Sequence, residues 1–87
     1  MSPESPPPTF PSTKSARAIL AENIVRLRAE KKWSQEALGF ETGLHRTFIA
    51  HVEREVRNIS IDNLERIAVA FGIAPYQLLQ PYTQQVT

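Results

Sequence analysis

The sequence predicts an all-α fold of five short helices behind a proline-rich N-terminal segment. Three observations predict it. Apolar residues recur at three- and four-residue spacing from Ser15 to about residue 80. Serines stand ahead of the periodic stretches and glycines or prolines behind them, as helix starts and stops require. No run alternates apolar and polar residues in the manner of a half-buried strand.

The 87 residues admit one domain. Five of seven prolines (Pro3, Pro6, Pro7, Pro8, Pro11) fall in the first eleven positions, so residues 1–14 read as a disordered tail. Two PxxP patterns there, Pro3 to Pro6 and Pro8 to Pro11, suit either a solvated tail or a polyproline II ligand. About 70 residues remain to fold, residues 81–87 forming a second tail. A core that small is marginal, which favours self-association. Without cysteine there is no disulfide framework and no Cys-based zinc or redox site. No apolar run approaches the ~20 residues of a membrane span. The start lacks the basic and apolar regions of a signal peptide. A cytoplasmic protein is expected. The net charge of +1 is by itself no pointer to nucleic acid.

The first helix is expected over about 16–31. Leu20, Ile24 and Leu27 form its apolar stripe, widened by Ile19 and Val25, and Ser15 is its N-cap. Arg17, Glu22, Arg26 and Glu30 occupy the opposite face. The second helix, about 34–42, opens at Ser34 with acid in its first turn and ends at Gly43, which can take a positive φ. The third, about 45–54, turns Ile49 and Val52 to one side with Phe48 on the flank. After a non-periodic stretch, Ser60 caps a fourth helix carrying Ile61, Leu64, Ile67, Ala68 and Phe71, closed by Gly72. Pro75 fits the first position of a short fifth helix through about Leu79, and Pro81 stops it.

Helices two and three, joined by a tight glycine-containing turn, fit a helix-turn-helix. Gly39 falls where the pair must approach closely and only a small side chain fits. The run from Trp33-Ser34-Gln35-Glu36-Ala37-Leu38 through Thr42-Gly43-Leu44-His45-Arg46-Thr47-Phe48-Ile49 to Val52-Glu53-Arg54 and Arg57-Asn58-Ile59-Ser60 resembles the XRE/Cro-repressor helix-turn-helix family. The segment from Ile61 to Ile73 is similar to that family's fourth helix, and the resemblance covers about residues 18–80. Leu44-His45-Arg46-Thr47 and Arg57-Asn58-Ile59-Ser60 look most like the small controller proteins of restriction-modification systems. The resemblance implies a five-helix, lambda-repressor-like domain that dimerises and binds a palindromic operator. Two positions depart from the pattern. Glu55 stands where the family usually has Gly, which predicts a reshaped turn. Gly39 replaces a more usual Ala.

With Ile49 set inward at 100° per residue, Thr47, Ala50, His51 and Arg54 fall roughly 100–200° away, on a face without a carboxylate. In a helix-turn-helix the start of this helix meets base edges in the major groove. The base-contact candidates are Arg46, Thr47, Ala50 and His51. Arg46 can bond guanine O6 and N7 at two points, Thr47 can meet a thymine methyl, and Ala50 permits close approach. Backbone contacts are expected from Gln35, which resembles the family's phosphate clamp, and from Arg54, Arg57 and Asn58. His45 reads as a cap and Trp33 as a packing residue.

Near the end of the chain Ile73, Tyr76, Leu78 and Leu79, with Tyr82 beyond, exceed what so small a body can bury. The resemblance implies a symmetric dimer there, with Ile73, Tyr76, Leu79 and Tyr82 at its interface and the two third helices about one DNA turn, ~34 Å, apart. Catalysis is not expected: His45 and His51 are six apart, and no nucleophile or phosphate-loop motif occurs. No cofactor, metal, membrane or small-molecule partner is expected. Double-stranded DNA is, and RNA polymerase is a further candidate. The alternative is an antitoxin that neutralises a partner toxin and autoregulates its operon.

Overall fold

A computed structural model of the chain describes residues 14–82. The two PxxP patterns and residues 83–87 lie outside the described residues. Five helices follow in order: α1 (Ala16–Lys31), α2 (Gln35–Thr42), α3 (Arg46–Glu53), α4 (Ile61–Phe71) and α5 (Pro75–Leu78). No strand occurs among the described residues.

Local chemistry sets the starts. The hydroxyls of Ser15, Ser34 and Ser60 accept the amides of Ala18, Ala37 and Asn63 at 3.1, 2.9 and 3.0 Å. Each satisfies one of the unpaired donors of a helix N-terminus. α3 uses His45 instead: its Nδ1 accepts from the Thr47 amide at 3.0 Å. Gly43 (φ 76°) ends α2 in the left-handed conformation. Lys32 (φ 59°) does the same for α1, with the Trp33 amide bonding back to the Arg28 carbonyl at 2.9 Å.

The core joins Leu20 and Ile24 of α1, Leu38 of α2, Ile49 and Val52 of α3, Leu64, Ile67, Ala68 and Phe71 of α4, and Leu78 of α5. Trp33 closes one end of it, stacked on Phe71 with ring centroids 5.7 Å apart. α2 packs on α3 and α4, and α1 on α3 and α5. Gly39 lies where α2 meets the start of α3. A Cβ there would lie 2.6 Å from the Leu44 carbonyl oxygen, so even alanine does not fit without movement.

Three apolar residues differ from expectation. Val25 is 44% exposed rather than part of the buried stripe, and Ile61 is 77% exposed. Ile61 lies roughly 120° around α4 from Ile67, beyond the edge of the face that packs. Leu78 is fully buried and leaves the set of unburied residues near the end of the chain. It is held by a polar residue. Asn23, 1% exposed, stands beside Ile24 in α1 and donates from Nδ2 to the carbonyls of Leu78 (2.8 Å) and Gln80 (2.9 Å). α5 is thus fastened to α1 by hydrogen bonds as well as by apolar burial.

Candidate nucleic-acid interface

α3 has two unlike sides. Ile49 and Val52 are buried. Arg46, Thr47 and Arg54 are exposed, and Ala50 and His51 are half-exposed. The side opposite the core carries Thr47, Ala50, His51 and Arg54, the four residues that the helical angle puts there, and Arg46 stands at the start of the helix. Its electrostatics depend on Glu53. The Glu53 side chain is only 7% exposed, because Arg28 of α1 holds it at two points: Nε to Oε2 at 2.6 Å and Nη2 to Oε1 at 2.9 Å. Arg28 also donates to the Trp33 carbonyl at 2.8 Å. The one carboxylate within α3 is therefore turned inward and neutralised.

Gln35 meets the same pair. Its Nε2 donates to Glu53 Oε1 at 2.8 Å. The side chain expected to clamp a phosphate is thus fixed at the N-terminus of α2, with one amide hydrogen used and a second still to offer. Because Ser34 caps only Ala37, the amides of Gln35 and Glu36 have no partner within the helix. That end of α2 presents donors and positive dipole, as an anion site requires.

After α3 the chain reverses through Glu55 at φ 66°. The turn is not reshaped to suit the missing glycine. The Glu55 amide bonds the Val52 carbonyl (3.0 Å) and the Val56 amide that of His51 (3.1 Å), the two-bond closure that needs a left-handed residue between them. The reversal brings the Arg57 guanidinium over the Phe48 ring, 5.6 Å from its centroid. Asn58 Oδ1 accepts from Arg17 Nη2, which reaches across from the first turn of α1. Arg54, Arg57 and Asn58 are all exposed.

Residues 24–78 match the helix-turn-helix family of the XRE type. The chain belongs to that family. It is a helix-turn-helix DNA-binding regulator. Control protein C.BamHI of Bacillus amyloliquefaciens is 43% identical over 68 residues, spanning 77% of this chain and 84% of that protein. The crystal structure of a hypothetical transcription factor from Neisseria superposes with a TM-score of 0.77 at 44% identity, covering 88% of each chain. The restriction-modification controller protein C.Esp1396I, solved as a tetramer in complex with its natural 35-base-pair operator, gives 0.67 at 29% identity over 76% of this chain and 91% of that one. No described helix is long and apolar enough to cross a membrane.

Four residues of this family member escaped sequence reasoning. Arg28, Glu53 and Asn23 look like solvated side chains by type, yet all three are wholly or largely buried. Asn23 interrupts the apolar stripe of α1 and Glu53 lies roughly 40° from Ile49 around α3, which were the available signals. Arg17 gave none, because its partner is 41 positions away. At the far end Tyr76, Leu79 and Tyr82 are exposed and Ile73 is half-buried. Tyr82 lies beneath the Arg26 guanidinium, 3.9 Å from centroid to Cζ.

Proposed function

We propose that this chain regulates transcription by binding a palindromic operator as a homodimer, with α3 of each protomer in the major groove. Arg46 reads a guanine edge at two points, Thr47, Ala50 and His51 meet neighbouring base edges, and Gln35, Arg54, Arg57 and Asn58 bind phosphates. The observation that carries this reading is the inward turn of Glu53: with that carboxylate bound to Arg28, only neutral and cationic groups of α3 point away from the core.

The dimer joins through Ile73, Tyr76, Leu79 and Tyr82. Three of the four are exposed in the single chain, at 69% for Tyr76, 41% for Leu79 and 60% for Tyr82, a cluster that suits burial against a second copy. The tetramer of C.Esp1396I on a 35-base-pair operator suggests two dimers side by side, since such a length spans about three turns of DNA. Occupancy of a promoter then represses, or a contact with RNA polymerase activates. With a net charge of only +1, non-specific affinity is modest and base contacts dominate selectivity.

Selection of bound sequences from random DNA tests the proposal. A two-fold symmetric motif is expected. Binding without sequence preference, or a species that stays monomeric at high micromolar concentration and on DNA, overturns it.

A further inference from the structure

We propose that Arg17 and Asn58 form a phosphate clamp at the start of α1, outside the helix-turn-helix itself. The inference rests on the DNA-binding reading and extends the interface to a helix which that reading leaves out. Arg17 sits in the first turn of α1, which holds no acidic residue. A cation there opposes the helix dipole, so its position has no local justification. Nor does a carboxylate of the described residues justify it. Among the described residues Arg17 forms no ion pair, while the α1 carboxylates Glu22 and Glu30 are taken by Lys14 and Arg26. Among the described residues the one partner of its side chain is the neutral amide of Asn58.

That bond has a direction. The guanidinium donates to Oδ1 of Asn58, which turns the amide Nδ2 and its two donors the other way. Guanidinium and amide together then present only N–H groups to an approaching anion. Asn58 follows Arg57 directly, and both are exposed beyond the end of α3. A DNA strand met by Arg54 and Arg57 runs on to this pair. Phosphate is the ligand chemistry the pair fits, since the guanidinium can still form two parallel bonds to it.

Fluorescence titrations at several salt concentrations test this, using the selected operator and an unrelated duplex. One phosphate contact contributes a slope of about 0.9 in log K against log salt, which amounts to about eightfold in affinity at 0.1 M. Arg17→Ala should weaken both duplexes by that factor and lower the slope by about one. Arg17→Lys should restore the slope, and Arg17→Gln, which can still bond Asn58, should not. Unchanged affinity and slope in Arg17→Ala, or a full slope in Arg17→Gln, overturns the clamp and leaves the DNA-binding reading standing. Failure of the unmutated chain to bind either duplex overturns both.

Discussion

Arg28 and Glu53 form a two-point ion pair, 2.6 and 2.9 Å, that ties the first helix to the last residue of the third. Both side chains are largely withdrawn from water, at 17% and 7% exposure. Two burials of charge are offset by close geometry and by the further bonds to Trp33 and Gln35. Removing one partner strands the other. Glu53→Ala should therefore cost about 3–5 kcal/mol, whereas the paired change Arg28→Met with Glu53→Leu should lie near neutral. Urea unfolding of the two variants beside the unmutated chain checks the difference. Equal losses in the single and the paired variant would show that the ion pair is not what fixes this corner.

Gly39 tests the closeness of α2 and α3. Its missing Cβ would meet the Leu44 carbonyl at 2.6 Å and the Arg46 amide nitrogen at 3.3 Å, both backbone atoms that cannot swing aside. Alanine is the better helix former by up to 1 kcal/mol, and propensity alone predicts stabilisation. The steric term should win, with Gly39→Ala destabilising by about 1–3 kcal/mol as an overpacked core does. Thermal unfolding gives the sign directly.

Glu55 presents the opposite case. It holds φ 66° in a closure where a side chain is a liability. The left-handed conformation costs an L-residue about 1–2 kcal/mol, and glycine gives part of that back in unfolded-state entropy. Glu55→Gly should raise stability by about 1 kcal/mol, a rise of about 4–8 °C in Tm for a domain of this size. It also removes a carboxylate beside Arg54 and Arg57, so DNA affinity should rise slightly rather than fall. A lower Tm would mean that Glu55 makes a compensating contact.

These residues mark the boundary of what the sequence could disclose. The helices were legible because their signals are local: Ser15, Ser34 and Ser60 each bond an amide three residues on, and Gly43 and Gly72 close the turns that follow. The outward face of α3 followed from placing Ile49 inside. What stayed hidden joins distant positions. Arg28 finds Glu53 25 residues on, Asn23 finds Leu78 55 residues on, and Arg17 finds Asn58 41 residues on. Residue type suggested solvent for each, and only the packing of α1 against α3, the stretch after α3, and α5 supplies their partners. Val25 and Ile61 erred the other way, because apolar periodicity does not reveal where a packed face stops.

The self-association surface gives a fourth expectation. Tyr76 is 69% exposed in the single chain, and its side chain makes no hydrogen bond among the described residues. Tyr76→Asp would place a carboxylate in the proposed interface, against its own symmetry mate in a two-fold dimer, where like charges repel. The folded monomer should persist, since the residue lies outside the core. Sedimentation should show loss of the dimer, and operator affinity should fall with it. A dimer of undiminished stability would move the interface elsewhere.

Arg46 and Arg57 should fail differently when truncated, and the difference separates reading from holding. Arg46 is exposed at the first position of α3, beside the His45 cap that orients the helix start. Arg57 lies beyond the Glu55 turn with its guanidinium over Phe48. If Arg46 bonds a base edge, Arg46→Ala costs about 1–3 kcal/mol on the selected operator and relaxes preference at one position in each half-site. On unrelated DNA it should cost far less. Arg57→Ala, removing a phosphate contact, should weaken every duplex alike and lower the salt slope by about one. Competition titrations against single-base operator variants resolve the two patterns. A uniform loss for Arg46→Ala would reassign it to the DNA backbone and leave Thr47, Ala50 and His51 as the residues that read sequence.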